Sequence, residues 1–151
     1  MNINLGIFYI IIIHLCIILY NGGDKMTKLN GIYRCNLCGN IVEVLVEGNR
    51  QLVCHEQDME LLEEKQSDVG SEKHVPIIER DGDKIVVKVG EVPHPMIEEH
   101  HICFVELFVG DKVYRKILNT GNEPKGVFEV CADIDYLKAR EYCNVHGLWY
   151  Y

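Results

Sequence analysis

Two cysteines in a C-x-x-C spacing, Cys35 and Cys38, are followed after 15 intervening residues by the adjacent pair Cys54-His55. They lie in a segment, 26–62, of some 37 residues. A segment that short cannot bury enough apolar surface to hold itself together, so a metal staple is expected. The intervening turn brings the two sulfurs of a C-x-x-C to one face, and a second close pair closes a tetrahedral site. A Cys3His set suits zinc, and iron is accommodated where sulfur dominates. Zinc would be a structural staple and iron a one-electron site. The residues alone leave that choice open, and reduced thiols beside a surface histidine are the metal-free alternative.

The rest of the chain carries a second set of donors. Seven Cys and seven His occur in 151 residues. Those outside the first cluster include His74, His94, His100, Cys143 and His146. Imidazole is the commonest protein metal ligand, and a thiolate adds a strongly donating one. Pro95 holds His94 in an extended backbone, and Cys143-Asn144-Val145-His146 is a C-x2-H pair near the C-terminus. Four His and one Cys exceed tetrahedral demand. They suit a five-coordinate ion with one open position, the arrangement for chemistry on a small molecule. Scattered histidines on the surface or in the core are the blander reading. Cys103 and Cys131 sit in apolar runs and read as buried reduced thiols. An odd cysteine count gives no complete disulfide framework, which points to a reducing, cytoplasmic setting.

Composition narrows the classes. Apolar residues make up 48% and charged residues 25%, as in an ordinary globular protein. The formal charge of −8 argues against a nucleic-acid footprint, which needs a basic face. A zinc-ribbon nucleic-acid binder, suggested by C-x-x-C alone, is disfavoured on the same ground.

Residues 5–20 are almost wholly apolar and include His14 and Cys16. That run is shorter than the roughly 20 residues that span a bilayer. It lacks the basic flank and small-residue cleavage site of a signal peptide. Gly22-Gly23-Asp24-Lys25 can be encoded as a strong ribosome-binding sequence just upstream of Met26. Met26 is therefore expected to be the true start, and 1–25 a mis-assigned extension. A membrane anchor is the alternative, and membrane association would depend on it.

Beyond 26 the pattern is all-β. Residues 41–46 read as a strand, 47–49 as a turn and 50–54 as the returning strand. Residues 63–73 read as a polar linker. Strands at 75–80 and 84–89 flank Asp81-Gly82-Asp83, and strands at 101–109 and 112–118 flank Gly110-Asp111, which suits a type II′ turn. A short strand is expected at 127–131. Residues 135–142 have helical propensity or form only a connection. Strands at this spacing suggest a β-sandwich. Trp149 is expected to pack against the metal-bearing loop.

The segments YRCNLCGNIVEVL, EKHVPIIE, VPHPM, VYRKIL and REYCNVHGLW strongly resemble desulfoferrodoxin, the two-iron superoxide reductase family. The resemblance covers 26–151 in the family order. It implies a desulforedoxin-like metal-binding domain at 26–62, where the family holds an iron in a rubredoxin-like tetrathiolate site. It implies an immunoglobulin-like β-sandwich at 63–151 with the catalytic iron. The family's four equatorial His fall on His74, His94, His100 and His146, and its axial Cys on Cys143. His101 takes the neighbouring non-ligand place, and Glu72 and Lys73 match the Glu-Lys pair at the open face.

The implied activity is one-electron reduction of superoxide to hydrogen peroxide, with iron cycling between Fe(2+) and Fe(3+). A rubredoxin-like donor and a homodimer are family expectations. A non-catalytic iron-binding electron-transfer protein is the rival reading. One departure stands out: the family's first site ends in Cys-Cys, and here it reads Cys54-His55. Iron, zinc or an empty first site are all compatible with it.

Overall fold

The computed structural model describes residues 26–67 and 73–151. Residues 1–25, with His14 and Cys16, and Glu72 lie outside the described residues. The chain divides into two compact units with the break between Leu62 and Glu63. Both are built of strands, and among the described residues there is no α-helix. No helix among them is long and apolar enough to cross a membrane.

The first unit contains β1 (Ile32–Arg34), β2 (Ile41–Glu43), β3 (Val53–Cys54), β4 (Gln57–Asp58) and β5 (Glu60–Leu61). β1 is central, with β2 and β5 antiparallel on either side. β3 pairs with β4 through a two-residue turn. Tyr33, Cys35, Val44 and Met59 form a buried cluster, flanked by Leu52, Cys54 and Leu61. Two cysteines of the first donor set are thus part of the apolar packing.

The expected hairpin between 41–46 and 50–54 does not form. β2 ends at Glu43 and pairs with β1 instead. Gly48, in the expected turn, is tied to the start of the unit: its N–H donates to Thr27 Oγ1 at 2.8 Å and its carbonyl accepts from Thr27 N–H at 3.0 Å. Val53 and Cys54 pair with the residues just after them, so both donor pairs end up in hairpin turns.

The second unit is a sandwich. β6 (Pro76–Asp81), β7 (Lys84–Val89) and β10 (Lys125–Phe128) form one sheet in the order β10-β7-β6. β8 (Ile102–Val109), β9 (Lys112–Ile117), β11 (Leu137–Cys143) and β12 (Gly147–Tyr150) form the other in the order β12-β11-β8-β9. The core between them includes Ile85, Val87, Val89, Val105, Leu107, Phe128, Leu137 and Ala139. These positions follow the period-2 rule for strands with one face inward. The turns are as expected: Gly82 and Gly110 take left-handed φ of 61° each, while Asp83 and Asp111 do not. A type II′ turn requires that pattern.

Two expectations need correction. Residues 135–142 are neither helix nor mere connection. A short 3-10 turn, Ile134–Tyr136, leads into β11, a strand at the centre of its sheet. Every residue from Ala139 to Cys143 is buried, so packing on both faces outweighs the helical propensity of the segment. The strand expected at 127–131 is instead Lys125–Phe128. Cys131 lies beyond its end and is exposed, not buried.

The outward face of the larger sheet carries a buried charge network. Glu106, with no exposed surface, accepts from Arg140 Nε at 2.6 Å and from Arg115 Nε at 2.6 Å. Arg140 also reaches Glu64 at 2.8 Å. Aromatic rings enclose it, with Arg140 over Phe108 and Arg115 over Phe104. Glu106→Ala removes the shared acceptor and leaves buried guanidinium charge, which costs about 3–5 kcal/mol. Urea denaturation should show the midpoint falling at unchanged slope, and a loss below about 1 kcal/mol would show that solvent screens the network.

Candidate metal centres

All five donors of the second set come to one end of the sandwich. His74 lies two residues before the start of β6. His94 and His100 lie on the loop from β7 to β8. Cys143 ends β11, and His146 lies in the turn to β12. Register explains the convergence. Pro76 pairs with Val89, and Ile102 pairs with Cys143, so these strand ends are neighbours. Cys143 pairs with Gly147, leaving a three-residue hairpin loop whose Gly147 takes φ of 83°. That loop brings His146 back beside Cys143. The register slips between Tyr142 and Cys143, leaving Cys103 without a partner in β11, so that Cys143 faces the core with no exposed surface.

The donor atoms of this set lie within 4.8 Å of one another. His94 Nε2 is 3.1 Å from His74 Nε2, which is 3.0 Å from His146 Nδ1, which is 3.2 Å from His100 Nε2. The His100 and His94 rings then close the circuit, their centroids 4.5 Å apart and their planes steeply inclined. A square of nitrogens around one ion at about 2.1 Å has edges of about 3.0 Å. Cys143 Sγ is 3.6 Å from His94 Nε2 and 3.7 Å from His146 Nδ1. The donor set therefore fits one ion with four nitrogens and a sulfur.

Surrounding contacts fix these rings. His94 Nδ1–H donates to Pro95 O at 2.7 Å, which leaves the Nε2 lone pair for a metal. The ring of Trp149 stacks on His74 at 4.8 Å between centroids, inclined by 14°. The expected packing of Trp149 thus falls on a histidine of the cluster itself. Lys65 Nζ donates to His146 O at 2.7 Å. His146 N–H donates to Cys143 Sγ at 3.4 Å. Asn144 ties the two loops: it accepts from His101 N–H at 2.9 Å and donates to Glu99 O at 3.1 Å. His101 itself turns aside, its Nδ1–H donating to Ile97 O at 3.1 Å. Cys103 is half-buried, and burial, with the Cys143 thiol nearby, pushes its thiol up to about 11.

Lys73 is half-buried beside His74. Its backbone lies against Gly90, which has φ of 73°, and a Cβ on Gly90 would stand 2.3 Å from Lys73 O. Gly90, Asn144 and Lys65 were not singled out from the sequence. A glycine directly after an apolar strand and four residues before His94 was the available signal for the first. Nothing local marks the other two, because their partners are distant in sequence.

The first set also converges, its donor atoms within 4.8 Å of one another. Cys38 Sγ is 3.8 Å from Cys54 Sγ, and Cys35 Sγ is 3.8 Å from His55 Nδ1. A tetrahedral ion with metal–sulfur bonds of about 2.3 Å has edges of about 3.8 Å. Cys54 Sγ and His55 Nδ1 are 3.2 Å apart. The Cys35 thiol is pulled down to about 6, chiefly by the Cys38 backbone N–H. Cys54 is pushed up to about 11, chiefly by its contact with the Cys35 sulfur. So the metal-free cluster holds a proton that an incoming ion must displace. His55 and Glu56, the two turn residues between β3 and β4, have φ of 53° and 60°. Left-handed backbone at a non-glycine residue costs about 1–3 kcal/mol.

A family model described as desulfoferrodoxin matches residues 66–151, and one described as the desulfoferrodoxin N-terminal domain matches 27–62. The chain belongs to the desulfoferrodoxin family. It is 58% identical over 125 residues to a desulfoferrodoxin homolog of Methanothermobacter thermautotrophicus, covering 83% of this chain and all of that one. It is 51% identical over 118 residues to a desulfoferrodoxin of Syntrophotalea carbinolica, covering 78% and 92% of the two chains. Among solved structures, the superoxide reductase of Treponema pallidum matches with a TM-score of 0.64 at 26% identity, covering 85% of this chain and 99% of that one. The fold is thus of the superoxide reductase type, and the Cys-to-His departure lies within the Cys3His cluster.

Gly90→Ala should strain the backbone and press on Lys73 O. The expected result is a stability loss of about 1–3 kcal/mol from φ alone, together with reduced metal retention at the neighbouring His74. Metal content after gel filtration and a denaturation midpoint, both unchanged, would show that the close approach has no consequence.

Proposed function

We propose that this protein is a superoxide reductase. It converts superoxide to hydrogen peroxide by adding one electron and two protons, and no O2 is released. The observation that carries the reading is the single ring of four imidazole nitrogens with the Cys143 sulfur beside it. His74, His94, His100, His146 and Cys143 would hold a ferrous ion, which would supply the electron, and a rubredoxin-like protein would suit as the external donor.

The chain's own groups do the rest. These five side chains would hold the ion and leave room for a small anion to reach it. The thiolate of Cys143, whose side chain has no exposed surface, would donate electron density to the ion and favour its oxidised state. The four imidazoles are neutral donors, so the ring adds no negative charge to repel superoxide. Lys73, adjacent to His74, gives a positive charge close to the arriving anion, and this local field works against a net charge of −8. Its ammonium also orders water for protonation. Glu72 is assigned to shield the open face between turnovers. Trp149 and the bond from His94 to Pro95 hold the rings so that little reorganisation accompanies electron transfer.

Anaerobically reduced protein pulsed with superoxide should yield one hydrogen peroxide per superoxide consumed. A yield of one peroxide for two superoxides, with O2, would mean dismutation and overturn the reading. Cys143→Ser should lose the thiolate-to-iron absorption band and most of the activity, and retention of both would displace Cys143 as a ligand. Lys73→Ala should lower the second-order rate with superoxide by about tenfold at low salt, leaving the metal spectrum in place. An unchanged rate would remove its steering role.

A further inference from the structure

The tetrathiolate iron implied by the family resemblance does not fit the first site, because His55 stands where the fourth cysteine would be. We propose that Cys35, Cys38, Cys54 and His55 hold a structural zinc ion, and that the first unit is a zinc-stapled module without an electron-transfer role.

Geometry makes the site four-coordinate. The Cys38–Cys54 sulfur–sulfur separation of 3.8 Å matches a tetrahedral edge, the sulfur–nitrogen separations of 3.2 and 3.8 Å lie on either side of one, and each residue offers one donor atom. Geometry alone does not choose between zinc and iron, since both form bonds of similar length to thiolate. Charge does. Four thiolates bring four negative charges, which stabilise ferric iron. Three thiolates and a neutral imidazole bring three, so the ferrous state gains relative to the ferric. An iron kept ferrous must then compete as a divalent ion, and zinc binds such a site more tightly in the divalent series. An iron of raised potential is also a poorer reductant for a second metal.

Access allows that competition to reach equilibrium. Cys38 and His55 are exposed, and Cys54 is half-buried. Ions from the surrounding pool can therefore enter and leave.

The unit needs the staple. Its apolar cluster of Tyr33, Cys35, Val44 and Met59 is small and includes the proposed ligand Cys35. His55 and Glu56 are both held in left-handed backbone, in a turn where glycine or asparagine would be unstrained. That turn presents Cys54 Sγ and His55 Nδ1, from consecutive residues, to the same point at 3.2 Å. Such a conformation persists when something outside the turn determines it, and a closed tetrahedral ion does so. The same ligand classes in a closed shell are those of structural zinc sites, which contribute directly to folding.

The full chain and its His55→Cys variant would be expressed in the same cells supplied with both iron and zinc. Metal content would be measured, with X-ray absorption at the zinc edge. The native chain should carry one zinc and one iron, the zinc ringed by three sulfurs and one nitrogen. His55→Cys should exchange much of that zinc for iron and gain the visible bands of sulfur-ligated ferric iron. Cys38→Ser should lose the zinc, keep the single iron, and melt at a lower temperature. Two irons in the native chain would overturn the proposal. So would an empty first site, a nitrogen-rich shell around the zinc, or equal zinc in the native chain and the His55→Cys variant. Because the iron at the other centre is counted separately, failure here leaves the superoxide reductase reading standing, and the reverse holds too.

Discussion

Four imidazole nitrogens face one another at 3.0–3.2 Å, with a thiol sulfur 3.6–3.7 Å from two of them. Lone pairs at that spacing repel unless protons or a cation lie between them. A cation at the centre satisfies all five donors at once. The loops that carry them have few other reasons to approach so closely, so the end of the sandwich is organised around that requirement. The stacked Trp149, the bond from His94 to Pro95 and the N–H of His146 on the Cys143 sulfur all restrict rings or sulfur to the orientation that meets it.

The sandwich supplies what the loops cannot. Strand register brings the start of β6 beside the end of β7, and the start of β8 beside the end of β11. The slip after Tyr142 keeps Cys143 on the core side, where its surroundings have low polarity and its donation to a metal is strongest. On the opposite face of the larger sheet, Glu106 and Arg140 tie β8 to β11, the two strands that flank the site. Rigidity in those strands limits how far the donors can drift.

The two centres differ in their dependence on the fold. The His4Cys cluster draws on positions from His74 to His146, spread over most of a domain, and a buried core of aliphatic residues holds it. The Cys3His cluster draws on two hairpin turns and has only a small core behind it. The His4Cys cluster is therefore placed by strand register and an apolar core. The Cys3His cluster sits on a small unit, and its turn residues His55 and Glu56 take left-handed backbone.

Much of this was legible in residue order. The hairpins at Gly82 and Gly110 follow from glycine's tolerance of positive φ, and the donor sets follow from residue type and spacing. Local reading failed where distant partners decide. Residues 135–142 carry helical propensity, yet β8 and β12 on either side make them a central strand. The 41–46 run looked ready to pair forward, but β1 captures it and Thr27 occupies the expected turn. Cys131 looked buried because its neighbours are apolar, but the strand ends at Phe128 and leaves it outside. The sequence by itself determined which atoms can bind metal, how many there are, and that His55 breaks the tetrathiolate pattern. Only the tertiary structure decided that four imidazoles close into a ring beside the Cys143 sulfur, that Gly90 must stay bare beside Lys73, and that Asn144 and Lys65 brace the loops. Donor chemistry belongs to each residue alone, whereas convergence depends on strand register and packing between segments far apart in the chain.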